Sequence, residues 1–170
     1  MNYTIARMEP NDWEQVRAIY QEGISTGNAT FDPEPPDWDT WDASHLPAGR
    51  LVARAGENIL GWVALSPVSN RCVYAGIAEV SLYVGNTSRR QGIGSSLLAT
   101  LIESSEKAGI WSLEANIFPE NEASMALARR HGFREVGRRE KLGKMTFGEY
   151  AGIWRDVLLM ERRSKVAGTN

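Results

Sequence analysis

The run Arg89-Arg90-Gln91-Gly92-Ile93-Gly94 sets two glycines, one residue apart, beside two adjacent guanidinium groups, a combination suited to holding phosphate. Glycine lets a ligand approach the main chain and adopts dihedrals other residues resist. If a helix starts here, its unsatisfied N–H groups and positive dipole end face the same ligand. Upstream, Glu79, Ser81 and Tyr83 alternate with Val80, Leu82 and Val84, so one face of a strand enters a core while the other carries a carboxylate and two hydroxyls. Strand, basic turn and helix start in that order present backbone amides to a pyrophosphate. Glu79 lies on the strand that ends at the turn, which makes it the candidate general base. The same residues also suit a plain turn with solvated arginines and an edge-strand carboxylate paired with a surface cation. Two other phosphate loops are excluded: no GxxxxGK[ST] run occurs here, and Leu97 stands where a dinucleotide fingerprint needs its third glycine.

Other chemistries find less support. Cys72 is the only cysteine, which rules out an intramolecular disulfide and a cysteine metal cluster, and no triad partner lies near it. No metal is expected. With 19 basic and 21 acidic residues the net charge is −2, which argues against a nucleic-acid or anionic-membrane binder. Met1 to Pro10 has no apolar signal core, and no apolar run approaches the roughly 20 residues of a membrane span. A soluble, cytoplasmic protein is expected. The 170 residues suit one domain, over 1–163, with a frayed tail at 164–170.

The elements that must position the turn follow from periodicity. Tyr3 to Ala6 predicts a short strand. Asn11 to Glu14 reads as a capping box, opening a helix that carries Trp13, Val16, Ile19 and Tyr20 on one stripe and stops at Gly23. Ser25 to Pro36 is an irregular loop around Phe31, and Trp38 and Trp41 share a face of a short helix. Leu51 to Ala55 and Ile59 to Leu65 form a hairpin, continued by a strand over about Tyr74 to Val84. A helix from Gly92 to Ala108, a strand over Ser112 to Ile117, a helix from Asn121 or Glu122 to His131 and strands over Arg134 to Arg139 and Trp154 to Met160 complete the chain. The order implies an α/β (α+β) fold: a mixed, mostly antiparallel sheet with one parallel crossover and helices on both faces.

The RxxGxG turn after a strand ending Leu82-Tyr83-Val84 resembles the acetyl-CoA signature of the GNAT N-acetyltransferase superfamily, over roughly Tyr3 to Glu161. Thr30 to Pro35, Glu79 to Val84, Asn121 to Phe133 and Trp154 to Val157 are similar to the phosphinothricin and methionine sulfoximine acetyltransferase branch. That resemblance implies acetyl-CoA as co-substrate, a small-molecule amine as acceptor and a homodimer. It assigns the cofactor to Leu82, Tyr83, Val84, Arg89, Arg90, Gln91, Gly92, Ile93, Gly94, Ser95, Asn121 and Ser124, and general-base catalysis to Glu79. Asn121 and Ser124 also suit plain helix caps. Phe31, Arg71, Tyr74 and Trp154 are the candidate acceptor contacts, Arg71 for a substrate carboxylate. The chain departs from the family at the general acid. Its helix before Gly132-Phe133 has no tyrosine, and its histidine, His131, abuts Gly132; Tyr83 and Tyr150 are candidate substitutes without a motif. An α-amine of a small amino acid is the first acceptor expected. A polyamine or protein terminus, or a non-catalytic acyl-CoA-binding module, are the alternatives.

Overall fold

The computed structural model describes residues 2–170. Seven strands make one sheet in the order β1-β2-β3-β4-β5-β7-β6, and its neighbours run antiparallel except β4 and β5. The strands are β1 (Thr4–Arg7), β2 (Leu51–Ala55), β3 (Asn58–Pro67), β4 (Ile77–Val84), β5 (Ser112–Ile117), β6 (Arg134–Lys144) and β7 (Trp154–Arg163). Among the described residues four α-helices cover them: α1 (Trp13–Ser25), α2 (Trp38–Ser44), α3 (Ile93–Lys107) and α4 (Glu122–Arg130). The mixed sheet with one parallel crossover is the architecture expected from periodicity.

Of three buried clusters among the described residues, the two larger ones lie on opposite faces of the sheet. On one, α3 buries Ile93, Leu97, Leu98, Leu101 and Ile102 against Val63, Leu65 and Leu113, joined by Met125 and Ala128 of α4. Each such aliphatic side chain contributes about 1.5–3 kcal/mol on burial. On the other face α1 and α2 bury Val16, Ile19, Tyr20 and Trp41 against Val52, Trp62 and Ala64. Alternation along β4 divides its residues between them: Val80, Leu82 and Val84 pack towards α3, and Tyr83 towards α1.

Several boundaries differ from the sequence reading. Strand β4 begins at Ile77, because Cys72–Tyr74 closes a 3-10 turn. The cap of α1 is also displaced: a 3-10 turn over Pro10–Asp12 precedes it, and Asp12 accepts from the Glu9 amide at 2.9 Å while pairing with Arg54 at 2.7 Å. Gly23 does not stop α1. The helix runs to Ser25, and a Cβ at Gly23 would lie 2.5 Å from Tyr83 Cδ1, so the glycine serves close packing. Strands β6 and β7 are longer than periodicity suggests, with register shifts at Glu135/Gly137 and Arg139/Gly143 breaking the alternation. The segment after Arg163, expected to fray, folds back: Ser164 is buried, donates to Glu106 at 2.8 Å and accepts from the Ala167 amide at 2.9 Å.

Candidate active site

Strands β4 and β5 pair over only three positions, Ile77↔Ser112, Ala78↔Leu113 and Glu79↔Glu114. Beyond Glu79 they separate, although β4 continues to Val84 and β5 to Ile117. Glu79 therefore stands at the vertex of a V in the sheet. Along its open arm, the β4 backbone groups that face β5 have no strand partner and are available to a ligand. The V opens into a cleft of about 1030 Å³ lined from Val80 to Val84 on one side and Ala115 to Phe118 on the other.

The basic turn closes one end of the cleft. Arg90 (φ +62°) and Gly92 (φ +78°) both adopt left-handed backbone, a succession that points amides into a concave anion nest. A non-glycine residue held at such a φ is a local cost of about 1–3 kcal/mol and is typical of ligand clamps. Gly92 caps α3 without any side-chain hydrogen bond, so no side chain competes for the first-turn amides. A Cβ on Gly92 would meet nothing within 4 Å; its glycine is required by φ, and the space beside it is open. Arg89, Arg90, Gly92, Ile93, Gly94 and Ser95 all line the cleft. Gln91 does not: its side-chain Nε2 donates back to the Thr87 carbonyl at 3.3 Å. This nest, the dipole of a 15-residue helix and two guanidinium groups fit a diphosphate. The unpaired arm of β4 fits an extended, amide-bearing chain.

Asn121 and Ser124 border the cleft from α4. Asn121 is a cap, accepting from the Ser124 amide at 3.3 Å, and it also donates to the Asn28 carbonyl at 3.1 Å. Ser95 is bound to His131 Nε2 at 2.7 Å. Burial first, and then Arg130 and Arg162, push the His131 imidazole below its ordinary range.

On the opposite face of the V Glu79 is half-buried, and its carboxyl is pushed above the usual range, chiefly by desolvation; Asn116 opposes the shift, Glu114 adds to it and Arg139 opposes it. Phe31 and Asp32 reach the cleft from the α1–α2 loop, with Phe31 edge-on to Phe118 at 4.9 Å. Asp32 accepts from Tyr20 Oη at 2.5 Å. Tyr83 stacks on Trp62 at 5.0 Å, and burial pushes its phenol well above the ordinary range, which keeps it protonated. Its side chain faces α1, whereas the nest adjoins α3. Tyr150 stacks under Arg155 instead.

Three expected acceptor contacts lie elsewhere. Arg71 and Tyr74 sit in and beside the exposed turn before β4, stacked on each other at 5.4 Å, and Trp154 is 54% exposed at the start of β7. None lines the cleft, because the V opens from Glu79 towards Val84, away from that turn. Other lining residues went unnoticed in the sequence: Asp32 and Asn116, and on the far wall Ser66, the cross-strand partner of Glu79, and His45. For Ser66 and Asn116, register on β3 and β5 was the missing signal.

A model of the acetyltransferase (GNAT) family matches residues 13–133. The chain belongs to that family. Acetyl-CoA is accordingly its acyl donor, supplying a thioester whose carbonyl carbon is open to attack by an amine. Phosphinothricin N-acetyltransferase of Alcaligenes faecalis is 34% identical over 167 residues, 94% of this chain and 81% of that protein. L-methionine sulfoximine/L-methionine sulfone acetyltransferase of Pseudomonas aeruginosa is 29% identical over 157 residues, 88% of each. A crystal structure of a GNAT superfamily phosphinothricin acetyltransferase from Sinorhizobium meliloti, in complex with AcCoA, matches with a TM-score of 0.85 at 26% identity, covering 100% of this chain and 92% of that one.

Proposed function

We propose that this N-acetyltransferase acetylates the α-amine of a small amino acid or analogue, of the kind represented by phosphinothricin, methionine sulfoximine and methionine sulfone. The observation that carries this is Glu79 at the vertex of the V: a carboxylate on the acceptor face, one strand turn from the unpaired β4 arm. Likeness to the Alcaligenes and Pseudomonas enzymes over most of the chain supports the acceptor class.

An amine with a pKa of about 8–10 is mostly protonated at neutral pH and cannot attack. Glu79, directly or through a water, takes that proton; the nitrogen then bonds to the acyl carbon and the carbon–sulfur bond breaks, the thiolate leaving with a proton. Free N–H groups on β4 polarise the carbonyl oxygen, each such donor being worth about 2.7–4 kcal/mol. Arg89, Arg90 and residues 92–95 hold the diphosphate, with Asn121 and Ser124 beside the pantetheine arm. Phe31 and Asp32 close the acceptor side.

The enzyme acts as a homodimer in the cytoplasm. Supporting the dimer are the exposed apolar side chains Val73, Tyr74, Ile153 and Trp154; among the described residues, no helix is long and apolar enough to cross a membrane. Thiol release from acetyl-CoA across an amine panel tests the acceptor: turnover with methionine sulfoximine or phosphinothricin and none with spermidine is expected. Turnover confined to polyamines would move the acceptor class, and binding of acetyl-CoA without turnover on any amine would make the chain a binding module.

A further inference from the structure

The α1–α2 loop has no strand or helix of its own between Ser25 and Trp38, yet it must present Phe31 and Asp32 to the cleft. Arg155 is the side chain that fixes it. Arg155 lies on β7 and is 3% exposed, with its guanidinium sandwiched between the Phe118 ring at 3.9 Å and the Tyr150 ring at 4.2 Å. It donates to the Gly27 carbonyl at 2.5 Å, to Asn28 Oδ1 at 2.6 Å and to Glu120 Oε2 at 3.2 Å. Only the last is a charge pair, and Glu120 is largely exposed. A buried cation held mainly by loop oxygens is stable only while the loop stays in place, and the loop keeps its partner only while the cation does.

The same loop residue is gripped from the other side. Asn121, at the tip of α4 beside the cofactor half of the cleft, donates to the Asn28 carbonyl at 3.1 Å. Asn28 thus joins β7 to the α4 tip, and Phe118, which carries the guanidinium on its face, also packs edge-on with Phe31.

We infer that Arg155 is a positioning residue for acetyl transfer: it locks the α1–α2 loop, and with it Phe31 and Asp32, onto the α4 tip, so that the acceptor pocket is built only while this clamp holds. It touches neither reacting group. The function proposed above supplies the acceptor, but the clamp is testable without it. Lysine at this position keeps the charge and loses the planar fork, which cannot then serve three oxygens at once.

The test compares Arg155→Lys, Arg155→Met and Asn28→Ala with the parent enzyme. Hydrogen exchange at the Gly27, Asn28 and Asp32 amides, each hydrogen-bonded locally, should quicken at least tenfold in both Arg155 variants while amides of the β5–β7 ladder stay protected. With an accepted amine, the acceptor KM should rise about tenfold, the scale of a lost charged hydrogen bond, and the KM for acetyl-CoA should stay within twofold. Asn28→Ala, which keeps the guanidinium in place, should fall between, and it decides the matter if an Arg155 variant does not fold. Unchanged loop exchange in Arg155→Lys, or in Asn28→Ala where Lys does not fold, would overturn the clamp. So would equal rises in both KM values. If no amine of the panel is acetylated, the acceptor assignment fails and the exchange result still stands alone.

Discussion

Glu79 carries two opposed consequences of one environment. Desolvation raises its carboxyl above the usual range, with Asn116 and Arg139 pulling it back, so the ionised form is less favoured in the folded chain than in the unfolded one. The acid limb of kcat/KM should therefore lie above the free glutamate value of about 4.3. Glu79→Gln should abolish that limb and cost about 10²–10⁴ in rate, most of all at mildly acidic pH above the Glu79 pKa, where the acceptor is almost wholly ammonium. Affinity for acetyl-CoA should hardly change. For stability the sign reverses. The penalty is absent below the unfolded pKa, grows as pH rises to the raised folded value, and is constant beyond it. Glu79→Gln should therefore melt at a higher temperature than the parent at neutral pH, with the gain vanishing in acid; melting curves across that range check it. Chemical type made Glu79 legible in the sequence. Its surroundings were not: Ser66 and Glu114 stand opposite it through strand register and Asn116 lies two residues further along β5, which spacing along the chain does not encode.

At the scale of elements, the strand, nest and helix from Glu79 to Ser95 were legible because period-two alternation, two glycines and a helical stripe follow one another without a break. Gly92 should be the sensitive position in it. Valine at φ +78° is strained by about 1–3 kcal/mol, so Gly92→Val should raise the KM for acetyl-CoA by about tenfold or more while leaving the acceptor KM near the parent value. Gly94→Val should do less. Its Cβ would meet Leu127 Cδ2 at 3.3 Å, the movable end of a side chain. Where tertiary packing overrode local signals, sequence reading missed. Gly23 looks like a helix stop yet sits inside α1, because only a bare Cα fits beneath Tyr83; Arg155 stood out in the sequence only as part of the Trp154 to Val157 motif, yet it faces inward to serve oxygens about 130 residues away in sequence.

For the whole molecule, the order of helices and strands was enough to reach the mixed sheet, since a strand–helix–strand unit after a meander requires one parallel crossover. What order alone did not reveal is how far that parallel pair extends, and the proposed function rests on its brevity. Three positions of pairing leave a slot in the sheet; in the function proposed above, the donor enters from the α3 face and the acceptor from the α1 face to meet at Glu79. The C-terminal segment does not line the cleft and is tied to the body: Ala167 is buried, and Arg163 donates to the carbonyls of Ala167 and Gly168. Deleting residues 164–170 should lower the melting temperature by about 2–4 °C for each 1 kcal/mol lost while kcat stays at the parent value, as melting curves and thiol-release rates on the same preparation would show. The most direct test is a crystal structure with coenzyme A bound. The diphosphate should rest on the amides of residues 89–94 and the sulfur should enter the V within water-bridged reach of Glu79; a nucleotide seated elsewhere, or a thiol directed away from Glu79, would contradict the account.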